Sequence, residues 1–276
     1  MTANPPAGSQ DVPAIHRPTT SQFPGGTFTP DPAPARPFRR MLATAGLELR
    51  LTLRNGEQLL LALVIPLVAL IGGTLVSIVE LPDPRIDSVL PGVLVLAVMS
   101  SAFTSQAITT GFDRRYGVLK RLAAAGVGRG QLIAGKCAAT LAVIAGQCVI
   151  LVGTAAALGW RPHGNPLWVL AILLLGTAAF IGIALLLGGT LRAEAVLAIA
   201  NLVWLVFVLV GGLIVPLDRA PQALRVIGEL TPPGAMSQAL RAVMVDGTAP
   251  PVLSLLVVAG WIVLGWAATV RWFRWQ

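Results

Sequence analysis

The chain has 276 residues, of which 55% are hydrophobic and only 12% charged, with a mean hydropathy of +0.78. That apolar content exceeds what a soluble core of this size absorbs and excludes a soluble globular class. A net charge of +8 would raise nucleic acid as a partner in a soluble protein, but in an apolar chain the placement of the cations along the sequence matters more than their sum.

Residues 1–37 hold nine prolines among Ser, Thr and Gly, a composition expected to stay disordered as a cytoplasmic tail. It lacks the charged start, apolar middle and small-residue cleavage site of a secretory signal, so no removal is expected. From residue 38 to 58 the spacing of Leu42, Ala45, Leu49 and Leu53 predicts an amphipathic helix, with Arg39, Arg40, Glu48, Arg50 and Arg54 supplying charge. Such a helix either lies along the membrane surface or extends the first spanning helix into the cytosol.

Six apolar runs follow, at about 59–79, 88–110, 137–158, 167–190, 196–215 and 251–270, each near the roughly 20 residues a helix needs to cross the hydrocarbon. None contains Asp, Glu, Lys or Arg. The alternate loops hold only Arg85, Arg161, Arg219, Arg225 and Arg241, and the other fifteen cations sit in both tails and the remaining loops. The bias predicts a six-span, multi-pass protein of the bacterial cytoplasmic membrane with both termini in the cytosol. The short reversal Leu191–Ala195 between the fourth and fifth runs is the sensitive point of that count.

No metal-binding chemistry is visible. His16 and His163 stand alone, and Cys137 and Cys148 lie about 16 Å apart along one helix, too far to bridge. The loop 111–136 carries six cations and one acid, Asp113. Its first half predicts a short amphipathic helix with Tyr116, Leu119, Leu122 and Ala123 on one side and Arg114, Arg115, Lys120 and Arg121 around the other, ending near Gly126 and Gly128. By charge alone the loop reads equally as a topology signal that touches anionic headgroups. Within it Gly130 to Cys137 imitates a phosphate-binding loop, but Cys137 replaces the Ser or Thr that would hold magnesium and no strand precedes it.

A surface helix leading through Arg54 into a run with Pro66, the segment Tyr116-Gly117-Val118-Leu119-Lys120-Arg121-Leu122 followed by Gln131 and Gly135-Lys136, the six runs and an unusual segment before the last one together resemble the ABC-2 type permeases, in particular the daunorubicin-resistance-like bacterial exporters. The resemblance covers about residues 38–276 and implies an all-α membrane fold of six transmembrane helices. It adds an N-terminal interface helix, a cytoplasmic coupling helix and extracellular re-entrant helices. It also implies that Arg115, Tyr116, Leu119, Lys120, Arg121 and Leu122 dock on a separate ATP-binding subunit, that ATP and Mg stay on that subunit with no cofactor on this chain, and that a second permease completes a homodimer or heterodimer. On that reading the chain is no enzyme.

The segment 216–250 holds two amphipathic stretches broken by Thr231-Pro232-Pro233-Gly234, with Leu224, Ile227 and Leu230 on one apolar face and Met236, Leu240 and Val243 on the other. Two re-entrant or surface helices are expected. In the resembling family such helices cover the exit, which assigns Pro232, Pro233 and Met236 to an outer gate. Polar residues within the runs are densest at Ser100, Ser101, Thr104, Ser105, Gln106 and Thr109, with Asn201 beside Trp204 and Phe207. The family's equivalents of these two helices line the pathway, so Ser100, Ser101, Thr104, Ser105, Asn201, Trp204 and Phe207 are expected to contact substrate. The lack of charged residues in the runs disfavours ion-coupled carriage and suits an amphipathic or lipid-like cargo, such as a drug, lipid, glycolipid or cell-wall precursor, moved outward by an external energy source. The alternative is a non-transporting scaffold or channel subunit.

Overall fold

A computed structural model describes residues 36–76, 82–213, 217 and 221–273. The expected tail up to residue 35, the run ends at 77–79 and 214–215, and residues 216 and 218–220 of the outer segment lie outside the described residues. Among the described residues every regular element is helical. In chain order they are α1 (Pro37–Arg54), α2 (Gly56–Leu75), α3 (Arg85–Val98), a π-helical stretch (Met99–Ser105), α4 (Gln106–Arg115), α5 (Val118–Ala124), α6 (Arg129–Ala157), α7 (Pro166–Thr190), α8 (Ala193–Val210), α9 (Gln222–Glu229), α10 (Pro232–Met244) and α11 (Val252–Trp272).

Among the described residues five helices are long and apolar enough to cross a membrane: the continuous rod Arg85–Arg115, then α6, α7, α8 and α11. α2 adds a shorter described apolar stretch, Ala62–Leu75. Helices suit such sequences because each backbone group finds its partner inside its own segment, which hydrocarbon demands. The rod Arg85–Arg115 is the axis of the bundle: 89% of its most apolar stretch is buried, against 17% for α8. α8 therefore presents Leu202, Leu205 and Leu209 outward.

Close packing rests on small residues, as expected where lipid gives helices no hydrophobic drive to associate. α11 lies along α7 more extensively than any other described pair. They meet at Gly182 and Gly265, where a Cβ on either would stand 3.2 Å from the other's carbonyl carbon. α4 and α7 meet at Gly188, where an added Cβ would fall 2.7 Å from the Ala107 carbonyl oxygen. At the centre Phe103, Phe180 and Phe207 join three walls, with ring centroids 6.2–6.4 Å apart.

Three features add to or depart from the expectations. The first is a contact that the sequence did not indicate: α1 meets α6 through a polar stripe. Gln131 donates to the Arg40 carbonyl and to Thr44 Oγ1, Thr44 sits against Gly135, and Glu48 reaches Lys136. Phe38, Leu42, Leu47, Leu51 and Leu53 remain exposed. α6 is rooted in that polar layer because its first turns carry Gln131 and Lys136.

The second concerns the loop 111–136, which is much shorter than expected. α4 continues to Arg115 and α6 begins at Arg129, so Lys136 is a buried residue of an apolar helix.

The third concerns the outer segment. α10 is a core element and not a surface helix: Met236, Leu240 and Val243 are fully buried, and Met236 fills the space left by Gly176 of α7. Of the two helices described in this segment, α9 keeps an exposed apolar face at Leu224, Val226 and Ile227, continued by Leu230 just past its end. Thr231 caps α10 by accepting from the Gly234 amide, with Pro232 and Pro233 in the first turn where no backbone donor is needed.

Candidate functional site

Two ends of the bundle are distinguished by their contacts. At one end the rod begins, and Arg85 donates to the Gly73 and Val76 carbonyls of the chain leaving α2. Arg241 of α10 donates there to the Ser88 carbonyl at 2.7 Å and to the Gly212 carbonyl at 3.1 Å. At the other end the rod stops in Arg114 and Arg115. Arg114 donates to the Gly189 and Leu191 carbonyls, where α7 ends, and Arg115 pairs with Glu194 in the first turn of α8. A cation over the last carbonyls of a helix completes acceptors that have no partner within it. The reversal between α7 and α8 is thus only Leu191 and Arg192, both extended, and the rod holds it in place.

Beyond Arg115 the chain turns at Tyr116 and Gly117. Gly117 takes φ +68°, a left-handed conformation glycine adopts without a Cβ clash, and α5 follows immediately. The break separates residues expected on one helix. Tyr116 belongs to the turn, stacks on Phe112 under the Arg115 guanidinium, and is 62% exposed. Lys120 and Arg121 are exposed, Leu122 is half-buried, and Leu119 is buried where a docking contact was expected. Leu119 anchors α5 to the bundle, and Arg115 is turned toward α8. Of the expected docking residues, Arg115, Tyr116, Lys120 and Arg121 are exposed, Arg115 while paired with Glu194.

Behind α5 lies a charged cluster that the sequence reading did not single out. Lys136 Nζ donates to Asp113 Oδ2 at 2.8 Å and to Glu48 Oε2 at 3.1 Å, joining α6 to α4 and α1. The available signal was that Glu48 and Asp113 are isolated acids in strongly cationic stretches. The same contacts dispose of the phosphate-loop imitation. Gly130 to Cys137 is wholly helical and its lysine is held by two carboxylates, so these residues do not fit a nucleotide.

Within the bundle the expected polar residues divide. Ser100, Thr104, Ser105, Asn201 and Trp204 line one cavity of about 300 Å³ with Ala62, Ile65, Ile108 and Leu197, between α2, the π-helical stretch with α4, and α8. Trp204 Nε1 donates to Ser100 Oγ at 3.1 Å, and Asn201 Nδ2 donates to the Leu197 carbonyl at 2.8 Å. A second cavity of about 390 Å³ continues toward the Arg85 end, lined mainly by apolar residues including Ala69, Val89, Val93, Leu96 and Val208. Ile65 and Trp204 line both, so the two form successive chambers of one interhelical groove.

Ser101 and Phe207 are not in this set. Ser101 donates to Gln147 Oε1 at 2.9 Å, and Gln147 passes the link to the Ala62 carbonyl. Ser101 also borders a cavity of only about 20 Å³, room for one water and no more. Phe207 belongs to the aromatic triangle. Pro232, Pro233 and Met236 are all buried in α10, away from the groove lining.

Among the described residues, five membrane-length apolar helices, the buried rod and four packed about it, define an integral membrane protein. The chain belongs to the ABC-2 type transporter family, whose model matches residues 41–245, from the second turn of α1 to just past α10. It is thus the membrane component of an ABC transporter, a permease component that is normally not itself catalytic, and family membership implies an ABC ATP-binding subunit as partner. A comparison with curated proteins gave no match.

Proposed function

We propose that this chain is the membrane-spanning subunit of an ATP-driven exporter of the bacterial cytoplasmic membrane, passing an amphipathic or lipid-like substrate outward along the groove between α2, the rod and α8. The observation that carries the reading is mechanical. One continuous rod, Arg85–Arg115, bears the groove's polar wall at Ser100, Thr104 and Ser105 and ends one turn before α5, where Tyr116, Lys120 and Arg121 are exposed.

In this reading α2 is the first of six crossings and both termini are cytosolic. The cation-rich end with Arg114, Arg115, Lys120, Arg121 and Arg129 faces the cytosol in accord with the positive-inside bias. The exposed leucines of α1 rest in the inner interface and the exposed face of α9 in the outer one. A partner subunit binds ATP and Mg and docks on α5. Its closure pushes the rod as a rigid body, and the Arg114 and Arg115 contacts carry the displacement to the α7–α8 reversal, so that both walls of the groove move together. α10 holds the outer end through Arg241. A second permease completes the assembly against the exposed faces of α2 and α8.

The test is co-purification with the cognate ATPase followed by reconstitution in proteoliposomes. Lys120→Glu with Arg121→Glu is expected to abolish complex formation and lower transport-coupled ATP turnover at least tenfold, and unchanged turnover defeats the docking assignment. Single cysteines at Ala125 and Thr248, in a chain with Cys137 and Cys148 replaced by Ser, test the topology. An impermeant maleimide is expected to label residue 248 from outside and residue 125 only after permeabilisation.

A further inference from the structure

In the α-helical segments Thr74, Thr140, Thr154, Thr177 and Thr190 each donate to the carbonyl four residues earlier, at 2.6–2.9 Å. That local bond is the usual fate of a threonine in an apolar helix. Thr104 departs from it. Like Thr110 of α4, it keeps a buried Oγ1 without a hydrogen-bond partner, and of the two only Thr104 is among the residues that line the 300 Å³ chamber. One turn away Ser100 Oγ accepts from Trp204 Nε1, which leaves the Ser100 proton free to donate. Asn201 lines the opposite wall.

Among the described residues lining this chamber none is titratable; Glu48, at the small cavity that shares Ala62 and Ser105 with it, is already paired with Lys136, and the ionisable residue described at the outer chamber, Arg85, already donates to two backbone carbonyls at its rim. A charge carried into the inner chamber would meet hydroxyls, an amide and an indole and, among the described lining residues, no counter-ion, in a medium that penalises bare charge heavily. A neutral polyol or carbonyl group would find donors and acceptors already oriented, and its hydrocarbon part would fill the apolar outer chamber.

We infer that the groove selects amphipaths whose polar part is uncharged and hydrogen-bonding. Ser100, Thr104 and Asn201 hold that part, and Trp204 stands between it and the apolar tail. The inference rests on the pathway reading above and adds the class of substrate to it.

The experiment uses the full-length permease in nanodiscs of zwitterionic lipid and three bromododecyl probes that differ only in the head: glucoside, phosphate and trimethylammonium. The quenching of Trp204, taken as the difference from the Trp204→Phe protein, reports binding. The glucoside is expected to bind at least tenfold more tightly than either charged probe. Thr104→Val and Asn201→Leu should each weaken it about tenfold, the effect of one lost hydrogen bond, while Thr104→Ser retains it. Equal or tighter binding of a charged probe, no quenching by any probe, or no effect of Thr104→Val overturns the inference. A separate arm measures ATP-dependent movement of the glucoside in proteoliposomes with the ATPase. Selective binding without transport supports the site's selectivity and defeats the export reading, whereas ATP-driven transport that favours the charged probes does the reverse.

Discussion

The ammonium of Lys136 on α6 stands 2.8 Å from the Asp113 carboxylate on α4, with the lysine side chain only 3% exposed. Glu48 of α1 completes the contact from the other side at 3.1 Å. One buried cation thereby ties the surface helix, the rod and the third long helix together just behind the residues proposed to meet the ATPase. A buried charge is tolerated only when paired and hydrogen-bonded, and here each partner lies on a different helix, so the cluster specifies how three elements register.

Lys136→Met keeps the side-chain volume but leaves two carboxylates facing each other without a cation. A loss of about 3 kcal/mol is expected, the low end for breaking a buried ion pair because water still reaches both acids. Adding Glu48→Gln and Asp113→Asn to the same chain should recover part of that loss. Thermal unfolding in nanodiscs measures both, and a single mutant that melts with the parent would refute the role of the cluster.

The two arginines at the end of the rod differ in what they hold. Arg115 and Glu194 are each about half or more exposed, and an exposed pair of this kind contributes roughly 0–1 kcal/mol, so Glu194→Gln should leave the melting temperature nearly unchanged. Arg114 completes the last carbonyls of α7, which have no other helical partner. Arg114→Gln is expected to cost about 2 kcal/mol, within the range for hydrogen bonds to a charged group. It should also lower coupled ATP turnover more than Glu194→Gln does.

Gly188→Ala places a methyl group 2.7 Å from the Ala107 carbonyl oxygen and 2.8 Å from Thr110 Cβ, so α4 and α7 must separate. Overpacking of this kind costs about 1–3 kcal/mol. Gly146→Ala on α6 meets nothing within 4 Å and should change stability by less than about 1 kcal/mol. Unfolding of the two variants side by side isolates the helix contact from the effect of alanine itself.

Glu229 provides a pH test. Hydrogen bonds from Arg225 first, at 2.8 Å, and then from Gln238 hold its carboxyl below the ordinary value of 4.5. Because the folded state depresses the value, the stabilisation is complete above the unfolded value and is lost as pH falls through the lowered folded one. The difference in unfolding midpoint between the parent and Glu229→Gln should be constant from pH 7 to about pH 5 and vanish in more acidic buffer. A difference that grows on acidification would contradict the assignment.

Much of the architecture is legible residue by residue. The long apolar helices, the reversal at Leu191 and Arg192 and the polar patches at Ser100–Ser105 and Asn201–Trp204 follow from hydropathy and spacing, because one helix in hydrocarbon needs nothing beyond its own sequence to satisfy its backbone. The local pattern misleads where an element's surroundings set its exposure. The stretch around Met236, Leu240 and Val243 reads as an amphipathic helix, re-entrant or on the surface, and the surface alternative fails because its position between α3, α7 and α11 buries its small polar face as well. Leu119 is similar: the apolar side of α5 turns to the bundle, leaving the turn and the charges outside.

By itself, then, the sequence determined that the chain lives in a membrane, roughly where its helices begin and end, and which end of the bundle is cationic, since these depend on local hydrophobicity and charge. Only the tertiary structure decided that Lys136 meets Glu48 and Asp113, that Arg114 closes the end of α7, and that Ser100 and Thr104 open into a groove while Ser101 turns to Gln147. Those outcomes turn on helix rotation, which depends on what each neighbouring helix presents and leaves almost no trace in a pattern of apolar and polar residues.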